Sequence, residues 1–497
     1  NLVMCAYEPL DDNALSSIKG ICQDVDKMAK ETIGQNKLKY AAHRSGGIGQ
    51  QYAADAGTSY LSYWQYGLGV SNDGTLVPPW HEQTGLRVVP HMHIGTQLQV
   101  HEFFNQQDFT FQQYFSALSD KVEQQTAQEP ADNNDWNRTQ FIGCLLGGAI
   151  GDAFGAPVEF MTRKQILAKH GPEGVTSFLP AYGRIGAITD DTQMTLFTAE
   201  GMLRAYVRGC HKGITTWLGC IGHAYQRWLQ TQQYDSPRSL SVQKDGLLWQ
   251  YQELHNQRAP GNTCLSALAE MQTFETYARN TSKGCGGVMR VAPIGLFCWR
   301  RKDMFSLEEC FDLASDVAHL THGHPTGYLA AGAFAAIIYQ LLEGAELIVA
   351  VDNSVKMLKI KRDSEETVQA LELAISLSQS NLRQEMAIEQ LGEGWIAEEA
   401  LAISIYCVLA ATDFNHLMTI SVRHSGDSDS TGAIAGNLWG AIHGLSSIDR
   451  NFIEQVELVK VITDIANDLF DFPTWDIGLY SSNHTINGNI WDKYPGH

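Results

Sequence analysis

None of the ten cysteines in this chain of 497 residues forms a C-x-x-C pair; they stand singly at Cys5, Cys22, Cys144, Cys210, Cys220, Cys264, Cys285, Cys298, Cys310 and Cys407. In a chain this long, such scatter reads as reduced, mostly buried thiols. It argues against a disulfide framework and a thiolate zinc site, and a cytoplasmic setting is expected. Charge is also sparse: 18% of residues are charged, and the balance is −20. Sequence-independent nucleic-acid binding needs Lys and Arg to displace counterions, so no nucleic-acid partner is expected. The same balance disfavours an anionic membrane but suits cations or a basic protein. No basic-then-apolar signal opens the sequence. The most apolar run, residues 330–342, contains Tyr339 and Gln340 and falls short of the roughly 20 residues that cross a bilayer. No fixed-period repeat is visible, which disfavours a solenoid.

What is present begins with apolar residues, 44% of the chain, enough for a sizeable core. Residues 123–135 are rich in Gln, Asn and Asp, carry Pro130 and have no hydrophobic stripe. That composition reads as a linker over 123–136. It separates an N-terminal module, 1–122, from a larger domain, 137–497. The module reads as small and α+β. Leu15, Ile18, Ile21, Cys22, Val25 and Met28 give residues 11–33 a helical period, and residues 86–100 hold β-branched residues suited to strands. The larger domain reads as nearly all-α, with helical runs over 141–154, 192–208, 214–230, 264–271, 307–320, 326–342, 367–378, 397–411 and 431–443.

Five segments of the larger domain carry chemistry. Gly143, Gly147, Gly151 and Gly155 recur every fourth residue and line one helix face. Each costs about 1 kcal/mol relative to Ala in a helix, so a close neighbour, helix or ligand, has to compensate. Pro157 stops this run and delivers Glu159 to its end. Thr189-Asp190-Asp191-Thr192 and Ser425-Gly426-Asp427-Ser428-Asp429-Ser430-Thr431 each open a helical run. Such residues cap helices. One cap residue would suffice, however, and adjacent carboxylates repel unless a cation or donor stands between them. Carboxylates and hydroxyls from two loops suit a hard cation such as Mg²⁺, and the ligands of softer metals are missing. The second loop is no EF-hand. Ser282-Lys283-Gly284-Cys285-Gly286-Gly287-Val288-Met289-Arg290 is either a plain turn or a loop whose N–H groups approach a phosphate. It matches neither Walker A nor G-x-G-x-x-G. His319, His322 and His324 cluster at a loop–helix junction, where a structural role competes with a place in a site.

In this order, the segments 143–159, 186–194, 282–293, 321–325 and 426–432 resemble the ADP-ribosylglycohydrolase family, of the dinitrogenase reductase-activating glycohydrolase type. The resemblance covers roughly three-quarters of the chain, from about residue 136 onward. It implies an all-α orthogonal helical bundle, a pair of Mg²⁺ ions (Mn²⁺ in their place), and hydrolysis of the bond between ADP-ribose and a protein side chain. Carried over by position, it implies Thr189, Asp190 and Asp191 as one set of metal ligands, and Asp427, Asp429 and Ser430 as the other. Asp191 is then the base, Asp190 its immediate alternative, and Glu159 a residue that covers the metals or acts on substrate. Ser282, Gly284, Gly286, Gly287, Val288 and Met289 would cradle the diphosphate and ribose, with His322 beside them. The Ser-Lys-Gly-Cys-Gly loop and the acidic balance incline the linkage to arginine. Cys285 has no base to activate it as a nucleophile.

Residues 1–122 fall outside the resemblance. They would recognise the modified protein, or block an ADP-ribosyltransferase toxin as immunity proteins do. A fused transferase is a third reading: Arg44, Ser59 and Glu102 supply the residue types, but the Ser-Thr-Ser and Glu-x-Glu contexts are missing. A non-catalytic binder that kept the fold competes with the hydrolase. The presence of every aspartate in both loops favours the hydrolase.

Overall fold

The structure, a computed structural model, describes residues 131–496 and, before them, the backbone of two short strands. The helix expected over 11–33, the strands expected over 86–100, and Arg44, Ser59 and Glu102 lie outside the described residues. The chain divides into two units, Asn1–Asn133 and Asn134–His497. In the first, β1 (Gly69–Val70) pairs antiparallel with β2 (Leu76–Val77), Gly69 opposite Val77.

The second unit is all-α apart from one hairpin among the described residues. Helix α1 (Ala131–Gly155) starts inside the stretch that composition marks as linker, so residues 131–136 are helical. Helix α2 (Arg163–His170) follows with a capping box from Thr162 and Gln165. The hairpin is β3 (Pro180–Ala181) and β4 (Arg184–Ile185). Its two turn residues, Tyr182 and Gly183, both have positive φ, 48° and 81°, as a two-residue hairpin twisted with its strands requires.

Helices α3 (Asp190–Lys212), α4 (Trp217–Thr231), α5 (Asn262–Ala269), α6 (Ala292–Arg300), α7 (Leu307–His319) and α8 (Pro325–Leu342) build the middle of the bundle. Pro325 sits in the first turn of α8, and the His324 side chain accepts from Thr326 N. Helix α8 is apolar on every face because α6, α7, α9 (Leu347–Leu358) and α12 (Ala397–Ala410) all pack on it. By length and composition it could cross a membrane; its burial in the bundle makes it the core helix. Helices α10 (Glu365–Ser378) and α11 (Gln384–Leu391) precede α12. After α12 come α13 (Phe414–Ser421), α14 (Ser428–His443), α15 (Arg450–Gln455), α16 (Val459–Asp471) and α17 (His484–Lys493).

Candidate metal and substrate site

The site is built on the contact between α1 and α14. A Cβ placed on Gly143, Gly147 or Gly151 would meet backbone atoms of Gly440, Gly436 and Gly432 respectively, and one on Gly155 would meet Ser428 and Asp429. The converse holds for Gly432, Gly436 and Gly440. As one number rises the other falls, so the helices run antiparallel, backbone to backbone, along two four-residue glycine repeats. Asn437 Nδ2 donates to Cys144 O at 2.7 Å, and Gln140 Nε2 to Ala441 O at 2.6 Å, securing the register. The C-terminal end of α1 therefore meets the N-terminal end of α14, which carries Asp427 and Asp429.

Asp152, on the last turns of α1, fixes the second loop. Its carboxylate accepts from Thr189 N at 3.0 Å, from Thr192 N at 3.1 Å and from Thr192 Oγ1 at 2.5 Å. Three donors at the start of α3 thus converge on a side chain from α1. Within the loop, Asp191 N donates to Thr189 Oγ1, the N-cap of α3, at 3.3 Å. Asp190 Oδ2 accepts from Gly261 N at 3.2 Å, while Asp190 N donates to Arg258 O at 3.1 Å. Arg258 is anchored by Glu457, so the 256–261 segment is held against Asp190.

Carboxyl oxygens of Glu159, Asp427 and Asp429 lie within 4.8 Å of one another, and all three residues are buried. Asp152, Asp190 and Asp191 are buried as well. Burial, then the charges of Asp429, Asp427, Asp190 and Asp152, pushes Glu159 up to about 11. Burial and then Asp429 hold Asp190, Asp191 and Asp427 well above the usual carboxylate range, and raise Asp152 to about 7. Two oxygens, Glu159 Oε2 and Asp191 Oδ1, are buried with no hydrogen-bond partner. Buried charges of one sign and orphaned acceptors are costly unless paired. The residues therefore fit a divalent cation, whose all-oxygen preferences they meet.

Asp427 also caps α14, its Oδ1 accepting from Ser430 N at 3.4 Å. Asp429 Oδ1 accepts from the same N–H at 3.0 Å. Capping and clustering thus coexist in one loop. Ser430 Oγ donates to Met289 Sδ at 3.9 Å, and Thr431 is occupied by the Ser421 and Asp427 carbonyls and by His424.

The glycine segment forms a short 3₁₀ turn, Cys285–Gly287, against this cluster. None of Gly284, Gly286 and Gly287 has positive φ. Their smallness serves packing: a Cβ on Gly286 would meet Cys264 Sγ and the His322 ring, and one on Gly287 would meet Gly327 O. Ser282 Oγ accepts from Gly284 N at 3.3 Å. Val288 and Met289 are core residues. His322 lies under the loop, with Nε2 3.4 Å from the Cβ positions of Gly284 and Gly286. Arg290 donates to Thr321 Oγ1 at 2.7 Å, which meets His322 Nδ1 at 2.8 Å. Burial and then Arg290 lower His322 to about 3, so the ring is neutral. Cys285 Sγ donates to Asp427 Oδ2 at 2.5 Å. Burial, then Asp427 and Asp191, push this thiol well above its usual value, the opposite of an activated nucleophile.

The structure thus brings Glu159, Asp190, Asp191, Asp427 and Asp429 together, with Thr189 and Ser430 at the helix starts and the 282–289 turn and His322 alongside. Sequence reasoning did not single out Asp152, the Arg258–Glu457 pair or Gly261. Asp152 stands one residue after Gly151 on the glycine-faced helix, and an acid inside such a run was the available signal.

The family model described as ADP-ribosylglycohydrolase matches residues 133–476. An uncharacterized protein of Archaeoglobus fulgidus is 28% identical over 341 residues, covering 64% of this chain and 94% of that protein. The ADP-ribosyl-(dinitrogen reductase) glycohydrolase of Rhodospirillum rubrum is 24% identical over 328 residues, 64% of this chain and 90% of its own. The ADP-ribosylarginine hydrolase Tri1 of Serratia proteamaculans is 23% identical over 333 residues, 66% of this chain and 78% of its own.

Proposed function

The chain belongs to the ADP-ribosylglycohydrolase family, and on that premise we propose that it hydrolyses the bond between ADP-ribose and an arginine side chain of a modified protein, reversing ADP-ribosylation in the cytoplasm. The observation that carries this reading is the buried cluster of carboxylates with two orphaned oxygens where α1, α3 and α14 meet. The arginine linkage is supported by the name of one relative, the ADP-ribosylarginine hydrolase, and by the acidic balance of the chain, which suits a basic target.

Thr189, Asp190, Asp191, Asp427, Asp429 and Ser430 would hold two Mg²⁺ ions, or Mn²⁺ in their place. Such ions would neutralise the cluster and make a nearby water more acidic. Asp191 Oδ1, free of any other partner, takes a proton from the attacking water. Asp190 is less free, since Gly261 N occupies its Oδ2. The water oxygen bonds to ribose C1 as the C1–nitrogen bond breaks, and the proton removed from water balances the one the leaving guanidine requires. Positive charge developing on the sugar is stabilised by the surrounding carboxylates. Ser282, Gly284, Gly286, Gly287 and His322 position the diphosphate and ribose.

Release of ADP-ribose from arginine-, serine- and glutamate-linked proteins, with and without Mg²⁺, tests the assignment. Wild type is expected to act on the arginine linkage only with Mg²⁺. Asp191→Asn is expected to lose at least about 100-fold in turnover, the usual worth of a general base. Near-wild-type turnover by Asp191→Asn would remove Asp191 from the mechanism, and turnover without divalent cation would remove the metals.

A further inference from the structure

We propose that Phe160, Trp395 and Tyr182 form an aromatic rim that receives the polypeptide around the modified arginine, so that the site prefers protein-linked over free ADP-ribosyl substrates. This rests on the hydrolase reading above and goes beyond it, to what lies outside the acid cluster.

Phe160 directly follows Glu159, whose carboxylate belongs to the cluster, yet its side chain is 73% exposed. Its ring stacks on Trp395, which is 38% exposed, with centroids 5.8 Å apart and planes at 23°. Trp395 is fixed to the glycine turn: its carbonyl accepts from Cys285 N at 3.1 Å, and Ile396 bridges Gly284. The stacked pair therefore joins the Glu159 segment to the glycine turn. Tyr182 is 44% exposed at the hairpin tip. Arg258, whose carbonyl accepts from Asp190 N at 3.1 Å, lies over its ring at 4.9 Å, which links Tyr182 to the acid cluster.

The acids are recessed: Glu159, Asp190, Asp191, Asp427 and Asp429 are each 7% exposed or less, whereas the stacked rings stand at the surface. The polypeptide bearing the modification stays outside, and the apolar surface it meets there is this rim. Flat, rigid aromatic surface of this kind dominates protein recognition. Guanidinium and ammonium groups stack on it, which suits a basic segment approaching a chain of net charge −20.

The test compares kcat/KM on an arginine-linked ADP-ribosylated protein with kcat/KM on free ADP-ribosyl-arginine, for wild type, Phe160→Ala and Phe160→Ala/Trp395→Ala. The ratio of the two is expected to fall about tenfold in the double variant, the loss of one aromatic anchor worth about 1.4 kcal/mol, and to be carried by KM for the protein substrate. The exposed Phe160 ring can be removed without opening the core, which keeps the single variant informative. A ratio within twofold of wild type in both variants would overturn the proposal, as would equal losses on both substrates. Wild type that cleaves neither substrate would count against the hydrolase reading. In that case the Kd of the ADP-ribosylated protein relative to that of ADP-ribose, by calorimetry, decides the rim: a tenfold change on substitution supports it and no change refutes it.

Discussion

Substituting the glycines of α1 tests whether one helix contact builds the site. At Gly151 an added Cβ would lie 1.9 Å from Gly432 O, about 1.5 Å short of the 3.4 Å at which ordinary contact begins. Neither atom can yield by a side-chain rotation, because the backbone fixes the Cβ and the oxygen is itself backbone. The helices must part, and overpacking of this kind costs about 1–3 kcal/mol. That cost has to exceed the roughly 1 kcal/mol that Ala gains over Gly inside a helix. Gly209 in α3 supplies the control. Its nearest neighbour is a Thr215 methyl at 3.6 Å, an ordinary contact. Gly209→Ala should therefore stabilise, by up to about 1 kcal/mol, whereas Gly151→Ala destabilises.

The same series carries a spatial gradient. Gly143 and Gly155 are about 18 Å apart along the helix at about 1.5 Å per residue, and only Gly155 abuts Asp429 N, at 2.3 Å. Thermal unfolding is measured with and without Mg²⁺. A cation present at 100 times its Kd stabilises wild type by about 2.7 kcal/mol. Gly143→Ala should lower the melting temperature yet keep the Mg²⁺ increment, whereas Gly155→Ala should lose most of it. If Gly151→Ala behaves like Gly209→Ala, the backbone contact does not hold the helices. If Gly143→Ala and Gly155→Ala lose the increment equally, the contact does not place the acids.

Two further outcomes follow from the residues beside the cluster. His322 is held near 3 in the fold but titrates near about 6.5 when unfolded, so the unfolded chain binds the proton first. Its contribution to stability is complete above about pH 6.5 and is lost as pH falls toward 3; His322→Asn should flatten that part of the urea-unfolding curve, and an unchanged slope would place the imidazole in water. Cys285, its thiol raised by burial, Asp427 and Asp191, should resist iodoacetamide at pH 8 with turnover retained, whereas inactivation that ADP-ribose prevents would mark it as reactive.

How much of the fold the sequence disclosed depended on burial geometry. Amphipathic segments such as α7 and α10 were legible because one face is apolar and the other wet. The chain also yielded α8, apolar all round, through its length and its proline start. Helix α6, buried on nearly every side from Ala292 to Trp299, has no polar face to set a period and was not singled out. Helices α2, α11 and α13 run only eight residues each, few turns in which to show a period, although α5, equally short, was legible. The case of α16 is different. Val461, Ile462, Ile465, Ala466, Leu469 and Phe470 are buried at helical spacing, so that pattern was readable and went unread.

The aspartate loops were legible for a reason that also made them ambiguous. Capping a helix and ligating a hard cation both ask for Asp, Ser or Thr at a helix start, and the structure shows the capping outright. What the sequence could not show was convergence. The glycine repeat of α1 demanded a close neighbour, and the chain held a matching repeat in Gly432, Gly436 and Gly440, but one-dimensional spacing does not say that the two repeats face each other. Once they do, in antiparallel register, the end of α1 must lie beside the start of α14. Asp152 then ties α3 to that same end through Thr189 and Thr192. Two loops more than two hundred residues apart are thereby fastened to one helix terminus, and Glu159, four residues beyond Gly155, joins Asp427 and Asp429 there. The acids are brought within repelling distance by glycine packing and one buried carboxylate, so the cost of their proximity is met by backbone contacts made elsewhere on α1. This division leaves several carboxyls raised well above their usual range in one buried cluster, which a cation would relieve.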